Sequence, residues 1–336
     1  MARPGLLRFD PILVAKPWGG EKLSALGKNP SVGLSPGVRV GESWEIADLP
    51  PEGLTAAKSG RTRVTSGPHQ GMTLRRLIAD YGSALLGSAS ATQDGDFPLL
   101  FKLLDTAEHL SIQVHPDQEL ADQKPDWMPK TESWYVLEAE PEAFIYIGLR
   151  PGVLPETVAA YAGTCALATL MNQVFVKPGD FYHLQAGTVH ALGAGVTVAE
   201  VQTPSDTTFR LYDWTAEYGR SPRDLHLPWA LDALSYDPTP FPPRRPTDQE
   251  GARLLVETPY YWIREHRTTD RQIPIREVTE LRILLVAKGK AEIVAPTHPP
   301  LELIPGSTIL VPACLGKTTR IRAREKTTTL LEIGLA

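Results

Sequence analysis

Hydrophobic and polar residues alternate with a period of two along much of this chain, and that period predicts short β-strands. Residues 41–46 form the first clear example, with charged and bulky side chains interleaved. Residues 97–104 are almost continuously apolar and enclose Lys102, as in a buried strand. Residues 109–115 then place four polar side chains on one predicted face: His109, Ser111, Gln113 and His115. We expect that face to line a pocket or, as the alternative, to meet solvent.

Similar stretches predict many further short strands, with a few helices. The other predicted strands are 132–137, 144–149, 174–180, 181–184, 186–190, 197–202, 254–257, 260–264, 282–286, 291–294, 307–311 and 328–333. The strands at 132–137 and 144–149 are predicted to pair through a turn at 138–142. The predicted helices are 71–86, with Thr73 as its N-cap, 155–170 and 222–234.

Proline and glycine are abundant, at 31 and 27 of 336 residues, which suits many turns between short strands better than a helical bundle. Residues 177–186 and 304–313 echo each other, since each has a Pro-Gly turn, a short strand and a turn that ends in alanine. The sequence therefore predicts a mainly β fold of two jelly-roll units, with a few helices packed on the first.

The two predicted units are unequal. Residues 1–235 form the first unit and contain every candidate for chemistry, whereas residues 248–336 form a second unit without metal ligands. Residues 236–247 are predicted to be a proline-rich linker between them.

Charge and cysteine content restrict the partners and the compartment. Lys and Arg number 34 against 39 Asp and Glu, a net charge of −5, so we expect neither nucleic acid nor a membrane as partner. The chain starts without an apolar stretch long enough for a signal peptide, and its longest uncharged run, 157–176, is too polar for a membrane span. Cys165 and Cys314 could pair, but nothing requires it, so a reducing cytoplasm is the simpler expectation. A monomer and a dimer are both compatible with the sequence.

Four side chains on these strands and turns carry donor atoms that zinc and related divalent metals bind: Gln113, His115, Glu132 and His190. Gln113 and His115 point the same way from one strand. Glu132 opens the next predicted strand, and a short connection would place it beside them. His190 is expected to enter a later strand of the same sheet. A lone histidine is more often structural than ligating, so spacing leaves this set as a hypothesis.

Basic side chains independently suggest an anionic ligand. Lys102 inside an apolar strand is costly unless it meets an anion, either a carboxylate of the protein or a bound phosphate. The alternative is that it snorkels from the rim of the strand. Lys130 lies two residues before Glu132, and the planar guanidinium of Arg210 suits a phosphate or a developing oxyanion.

A more specific signal comes from segments that follow one another in a set order. They are KPWGG at 16–20, GESWE at 41–45, FPLLFKLLD at 97–105, LSIQVHPD at 110–117, KTESWY at 130–135, PGD at 178–180, AGTVHALG at 186–193, AEVQ at 199–202 and SDTTFRLYDW at 205–214. In these segments the chain resembles the type I mannose-6-phosphate isomerases in their short bacterial form. The resemblance covers most of residues 10–215, and beyond about residue 240 it extends only to the general plan of a second cupin domain.

The resemblance implies a cupin fold that holds one zinc ion (Zn2+) per chain. The implied zinc ligands are the same four residues, Gln113, His115, Glu132 and His190. The implied substrate-binding residues are Ser111, Lys102 and Lys130. The implied catalytic residues are Arg210 and Glu200, the latter for proton transfer. The implied reaction interconverts mannose 6-phosphate and fructose 6-phosphate, which needs a proton transfer between adjacent carbons through a cis-enediolate.

Two other functions are weighed against this one. An iron-dependent cupin oxygenase would show His-x-His followed closely by Glu, whereas here Gln113 replaces the first histidine and Glu132 lies well downstream. A non-catalytic sugar-phosphate-binding bicupin is disfavoured because the full ligand set and Arg210 are present. His109 and His183 depart from the family pattern, and either is a less favoured fifth ligand.

Overall fold

The computed structural model describes residues 4–28, 37–50, 60–124, 127–237, 243–245, 249–268, 272–273, 279–296 and 298–336. Most of the regular structure in these residues is β-strand. The strands of the first part of the chain form one pair of larger sheets, and those of the last part form a second pair. The predicted fold class, mainly β with two jelly-roll units, is confirmed. None of the helices in these residues has both the length and the apolar character needed to cross a membrane.

The first jelly roll uses the strands before residue 213. They are β1 (Phe9–Asp10), β2 (Ile12–Gly20), β3 (Val40–Ile46), β4 (Arg63–Val64), β5 (Leu100–Thr106), β6 (Ile112–Val114), β7 (Glu132–Ala139), β8 (Phe144–Leu149), β9 (Met171–Phe175), β10 (Phe181–Leu184), β11 (His190–Leu192), β12 (Val196–Gln202) and β13 (Phe209–Tyr212). A six-stranded sheet has the order β10-β7-β12-β5-β2-β3, and a five-stranded sheet has the order β13-β6-β11-β8-β9. Buried apolar side chains of both sheets, such as Val136 and Ile145, pack into one core between them.

The second jelly roll uses the strands after residue 250. They are β14 (Gly251–Glu257), β15 (Tyr261–Thr268), β16 (Gln272–Ile273), β17 (Arg282–Lys288), β18 (Ala291–Val294), β19 (Leu301–Leu303), β20 (Thr308–Val311), β21 (Arg320–Ala323) and β22 (Thr328–Leu335). The order is β14-β15-β22-β17-β20 in one sheet and β16-β21-β18-β19 in the other. The sequence pattern missed β16, β19 and β21, which have two to four residues each.

The helices are short and lie mostly around the first jelly roll. They are α1 (Lys22–Ala25), α2 (Leu74–Tyr81), α3 (Ser83–Leu86), α4 (Gln118–Ala121), α5 (Pro155–Tyr161), α6 (Thr215–Tyr218) and α7 (Leu227–Ala233), with 3₁₀ turns at Cys165–Leu170 and Ala313–Leu315. Thr73 caps α2 as predicted, because its side chain accepts a hydrogen bond from the Arg76 amide. The predicted helix 71–86 is divided at Gly82, whose φ of 46° is not helical.

Two predicted details are wrong. The strands β7 and β8 do not pair with each other, because the turn between them carries the chain from one sheet to the other. Alternation shows which side chains of a strand are buried, but it does not show which sheet the strand joins. The predicted helix 155–170 is not continuous, because α5 ends at Tyr161 and a 3₁₀ turn at Cys165–Leu170 follows.

The N-terminal residues contact the second jelly roll. The backbone of Leu7 exchanges two hydrogen bonds with Leu310 of β20, at 3.0 and 2.9 Å. One large apolar cluster also contains side chains of both units, among them Tyr135 and Tyr261. The predicted linker 236–247 lies mostly outside the described residues, and the proposed domain boundaries stay a prediction.

The two jelly rolls repeat one strand order, in which β20-β17-β22-β15 corresponds to β10-β7-β12-β5. Glu132 opens β7 and pairs with the last residue of β10, and Arg282 opens β17 and pairs with the last residue of β20. On the other side, Glu132 pairs with Gln202 of β12, and Arg282 pairs with Gly334 of β22. Glu200 lies two residues before Gln202, and Glu332 lies two residues before Gly334. Arg282 therefore occupies the position of Glu132, and its guanidinium cannot ligate a metal.

Arg282 forms a buried ion pair in place of such a site. Its Nη1 lies 3.0 Å from Glu332 Oε1, and His266 Nε2 lies 2.8 Å from Glu332 Oε2. All three side chains are buried. A buried carboxylate that loses its cation is strongly destabilising, so this cluster holds the centre of the second jelly roll.

We expect Arg282→Met to lower the free energy of unfolding by about 3–5 kcal/mol, because Glu332 is left buried without its guanidinium. Denaturant unfolding measures the change, and Arg322→Met on the exposed side of β21 is the matched control. The double variant Arg282→Met/Glu332→Leu should recover part of the loss. A cost for Arg282→Met no larger than that of the control would contradict this prediction.

Candidate active site

Three neighbouring strands of the five-stranded sheet carry one row of polar side chains. In the order β13-β6-β11, Arg210 pairs with Gln113, and Gln113 pairs with His190. Directly paired residues of antiparallel strands point to the same face, so these side chains lie side by side. His115 follows Gln113 by two residues and has the same direction. His190 thus enters a later strand of the same sheet, as its spacing predicted.

The facing six-stranded sheet supplies Glu132 from the first residue of β7. Glu132 lies beside His115 as expected, but it reaches this position from the facing sheet, because β7 belongs to that sheet. Register aligns Glu200 of β12 with Trp134 on one side and with Lys102 of β5 on the other. The two polar rows therefore meet across the interior of the first jelly roll.

Glu132 is the centre of a buried cluster. Its Oε2 lies 3.4 Å from His115 Nε2 and 3.0 Å from Lys130 Nζ. Its Oε1 lies 3.2 Å from His190 Nε2. The Gln113 amide nitrogen is 3.2 Å from the same His190 nitrogen. The structure therefore brings together all four predicted ligands, from two sheets.

Backbone carbonyls set the tautomers of both histidines. His115 Nδ1 lies 3.0 Å from the carbonyl oxygen of Thr207, and His190 Nδ1 lies 2.8 Å from that of Thr188. A carbonyl oxygen only accepts, so each Nδ1 donates its hydrogen. In the neutral rings Nε2 then carries the lone pair and faces Glu132, which is the arrangement found for metal-ligating histidines.

The donor atoms of this cluster fit a metal ion. Within the described part of the chain, His115 Nε2 and both carboxylate oxygens of Glu132 are buried and have no hydrogen bond beyond the ion-pair contacts given above. Buried polar atoms are seldom left this way. Ligand atoms of His115, Glu132 and His190 all lie within 4.8 Å of one another. Two imidazoles and a carboxylate form a donor set that suits zinc and related divalent metals.

Burial and neighbouring charges favour the protonation states that metal binding needs. Burial lowers the pKa of His115 to about 3, and the Lys130 ammonium acts in the same direction. Burial raises the pKa of Glu132, but Lys130 and the two histidines outweigh burial and hold that pKa well below its ordinary range. At neutral pH the cluster presents a neutral His115 ring and a charged carboxylate.

Lys102 is buried between two carboxylates. Its Nζ lies 3.7 Å from Glu42 and 3.5 Å from Glu200. Glu42 in turn contacts Lys16 at 2.7 Å and accepts a hydrogen bond from the Trp44 indole, also at 2.7 Å. Of the alternatives for Lys102, the structure shows the protein carboxylate rather than a snorkelling side chain.

Glu200 is a buried carboxylate that favours its protonated form more than usual. Burial raises its pKa above the ordinary 4.5, and the charge of Glu132 acts in the same direction. Lys102 and Lys130 act in the opposite direction, and the Trp134 indole donates a hydrogen bond to Glu200 at 2.9 Å. A carboxylate with a raised pKa is a stronger base than an exposed one.

The pocket beside this cluster is richer in cations than in anions. Its charged lining residues are Lys16, Lys102, Lys130, Arg210 and Arg223 against Glu42, Glu200 and Asp206. Arg210 has no carboxylate within 4 Å among the described residues, so its charge is available to a ligand. The excess of positive charge suits a small anionic ligand.

The two less favoured histidines have other contacts. His109 accepts a hydrogen bond from the Ala194 amide at 2.8 Å and packs edge-on against Trp214. His183 Nδ1 lies 2.9 Å from Ser133 Oγ, and burial lowers its pKa to about 4. Neither belongs to the group of ligand atoms around Glu132.

The sequence patterns missed several pocket residues. They are Lys16, Glu42, Asp206, Thr208 and Arg223. A charged residue at a buried strand position was a usable signal for Glu42, as it was for Lys102. Arg223 had no such signal, because it follows the last strand of the sheet. Its Nε donates to Asp213 at 2.6 Å, which orients it at the pocket.

Comparison with known proteins gives a consistent set of relatives. Residues 6–148 match the family described as phosphomannose isomerase type I, catalytic domain. The chain is 34% identical over 237 residues to the mannose-6-phosphate isomerase ManA of Bacillus subtilis, which covers 70% of this chain and 69% of that protein.

Solved structures share the whole fold. The crystal structure of the mannose 6-phosphate isomerase from Bacillus subtilis superimposes with a TM-score of 0.77 at 25% identity, covering 98% of this chain and 99% of that one. A mannose 6-phosphate isomerase bound with zinc and yttrium superimposes with a TM-score of 0.71 at 18% identity, covering 99% and 100% of the chains. At that lower identity the likeness concerns the fold.

We predict that Glu42→Gln reduces the pH dependence of stability in acid. Burial alone would raise the pKa of Glu42, but Lys16 and Lys102 outweigh it and lower the pKa from 4.5 to about 2. This depressed pKa stabilises the fold by about 3 kcal/mol above pH 4.5, and the contribution disappears as pH falls through 2. Unfolding free energies measured between pH 5 and pH 2 test this.

The exposed Glu21→Gln variant is the control for that measurement. It should keep the acid-dependent loss of stability seen in the unmodified chain. The prediction is contradicted if Glu42→Gln loses stability as steeply as Glu21→Gln over the same pH range.

Proposed function

This chain belongs to the type I phosphomannose isomerases, and from that membership we propose that it interconverts mannose 6-phosphate and fructose 6-phosphate in the pocket beside Glu132. The observation that carries the proposal is the meeting of His115, Glu132 and His190 next to a pocket with excess positive charge. Such a pocket suits a phosphorylated sugar, which brings both a phosphate and vicinal oxygens. The small number of cysteines and the negative net charge support a cytoplasmic enzyme without a nucleic-acid partner.

We assign the metal site to one zinc ion per chain, held by Gln113, His115, Glu132 and His190. Gln113 would ligate through its amide oxygen, which a half-turn of the terminal torsion exchanges with the nitrogen now nearest His190. Zinc bound there supplies Lewis-acid polarisation of sugar oxygens and stabilises negative charge that develops on them.

Basic and hydroxyl side chains of the pocket bind and orient the substrate. Lys102, Lys130 and Ser111 line the pocket close to the metal cluster, where they contact the phosphate or the sugar chain next to it. Both lysines already face carboxylates of the protein, at 3.0 to 3.7 Å, so their positions are held before substrate arrives. Holding the non-reacting phosphate lets its binding energy orient the reacting carbons.

Glu200 and Arg210 act on the reacting atoms. Glu200 takes the proton from carbon 2 of the aldose and returns it to carbon 1, since its raised pKa gives it the basicity for this step. Trp134 donates a hydrogen bond to one Glu200 oxygen, and this fixes the orientation of the carboxylate. Arg210 stabilises the negative charge of the enediolate and assists the proton transfer between its oxygens.

Neither alternative function has a specific observation in its favour. The relatives are isomerases, and the basic residues of the pocket have no role in oxygen chemistry. A silent sugar-binding protein would not need a buried carboxylate with the basicity of Glu200 beside the metal cluster.

We expect Glu200→Gln to lower kcat by about 10²- to 10⁴-fold with little change in KM, because the amide cannot accept the carbon-bound proton. In the unmodified enzyme, kcat/KM should fall as pH drops through a pKa above 4.5, as the base becomes protonated. A coupled assay on mannose 6-phosphate measures both. Glu138→Gln on the exposed side of β7 is the matched control, and near-normal turnover of Glu200→Gln would contradict the assignment.

Removal of metal should abolish isomerisation, and zinc should restore it. The same coupled assay, run before and after chelation and after addition of zinc at one equivalent, measures the effect. Stoichiometric iron with oxygen uptake would instead favour the oxygenase. Binding of mannose 6-phosphate without turnover in the zinc-loaded protein would favour the silent binding protein.

A further inference from the structure

Strand β7 has two faces with different partners. Glu132 and Trp134 point into the active site, where they meet His190 and Glu200. Because side chains alternate along a strand, the residue between them, Ser133, points to the opposite face. The direction of Glu132 is therefore coupled to whatever holds that opposite face.

The second jelly roll holds the opposite face of β7 with two buried hydrogen bonds. The hydroxyl oxygens of Ser133 and Tyr261 are 2.9 Å apart, and the Tyr135 hydroxyl donates to Glu265 Oε1 at 2.7 Å. Tyr261 and Glu265 are four residues apart on β15, so both lie on the face of β15 that meets β7. All four side chains are buried.

The partners on β15 are themselves fixed. Glu265 lies 3.1 Å from both Arg253 and Arg267, and these two contacts hold its carboxylate in one orientation. The Tyr261 ring is fully buried in the apolar cluster shared by the two jelly rolls. Within the first jelly roll, Ser133 also meets His183 at 2.9 Å. These contacts make β15 a rigid support for β7 rather than an adaptable surface.

We propose that Tyr261 and Glu265 are positioning residues, through which the second jelly roll sets the direction of the Glu132 carboxylate. The inference rests on the proposed role of Glu132 as a metal ligand. It gives the second jelly roll a part in the active site although it contributes no side chain to the cluster. Groups that hydrogen-bond a metal ligand directly typically change metal affinity by about 10- to 100-fold when they are removed, and we expect groups that hold the neighbouring residues to act at the lower end of that range.

The test compares two tyrosines that are adjacent in the chain. Tyr261→Phe removes one hydroxyl and keeps the buried ring, whereas Tyr260→Phe makes the same change on a side chain that is 45% exposed. Zinc affinity is measured on the full chain by competition with a chromogenic chelator, well below the melting temperature. We expect the zinc dissociation constant of Tyr261→Phe to rise by about 10-fold over that of Tyr260→Phe. The KM of the zinc-saturated variant should stay unchanged.

Two further variants keep the outcomes distinct. Glu132→Gln reports on the proposed function, since an unchanged zinc affinity in that variant would overturn both the ligand assignment and this inference. If Glu132→Gln weakens zinc binding but Tyr261→Phe stays within twofold of Tyr260→Phe, whatever its melting temperature, only this inference is overturned. Tyr135→Phe removes the second hydrogen bond, and it carries the test if Tyr261→Phe does not fold.

Discussion

A carboxylate without exposed surface lies at the centre of the first jelly roll, and the Lys130 ammonium beside it keeps it charged. Burial of Glu132 in an apolar interior would by itself favour the neutral acid. The Lys130 ammonium, 3.0 Å from the carboxylate, reverses that preference. The neutral His115 ring beside this charge completes a donor set that a metal ion can bind.

The need to balance buried charge also explains why Lys102 and Lys130 contact carboxylates and why Glu200 is basic. Lys102 is shared between two carboxylates, so neither carboxylate holds it completely. Burial raises the pKa of Glu200, and the nearby charge of Glu132 acts in the same direction. Charges that are compensated within the protein are already in place when a charged substrate arrives, which avoids reorganisation during the reaction.

The second jelly roll shows what happens to the same strand order without that carboxylate. Arg282 stands where Glu132 stands in the first unit, and it pairs with Glu332, the counterpart of Glu200. An internal ion pair thus fills the position that the first unit leaves to a metal. With this ion pair in place of metal ligands, the second unit packs against β7 as a support.

The sequence by itself determined the residue types of the site and most of the strands, because a period of two and a charged residue in an apolar strand are local signals. It predicted the β fold, the Thr73 cap and the set Gln113, His115, Glu132 and His190. Only the tertiary structure decided that Glu132 faces the histidines from the opposite sheet and that β15 supports β7 from behind. Pairing between distant strands depends on register and packing among residues far apart in the chain, and no local pattern records it.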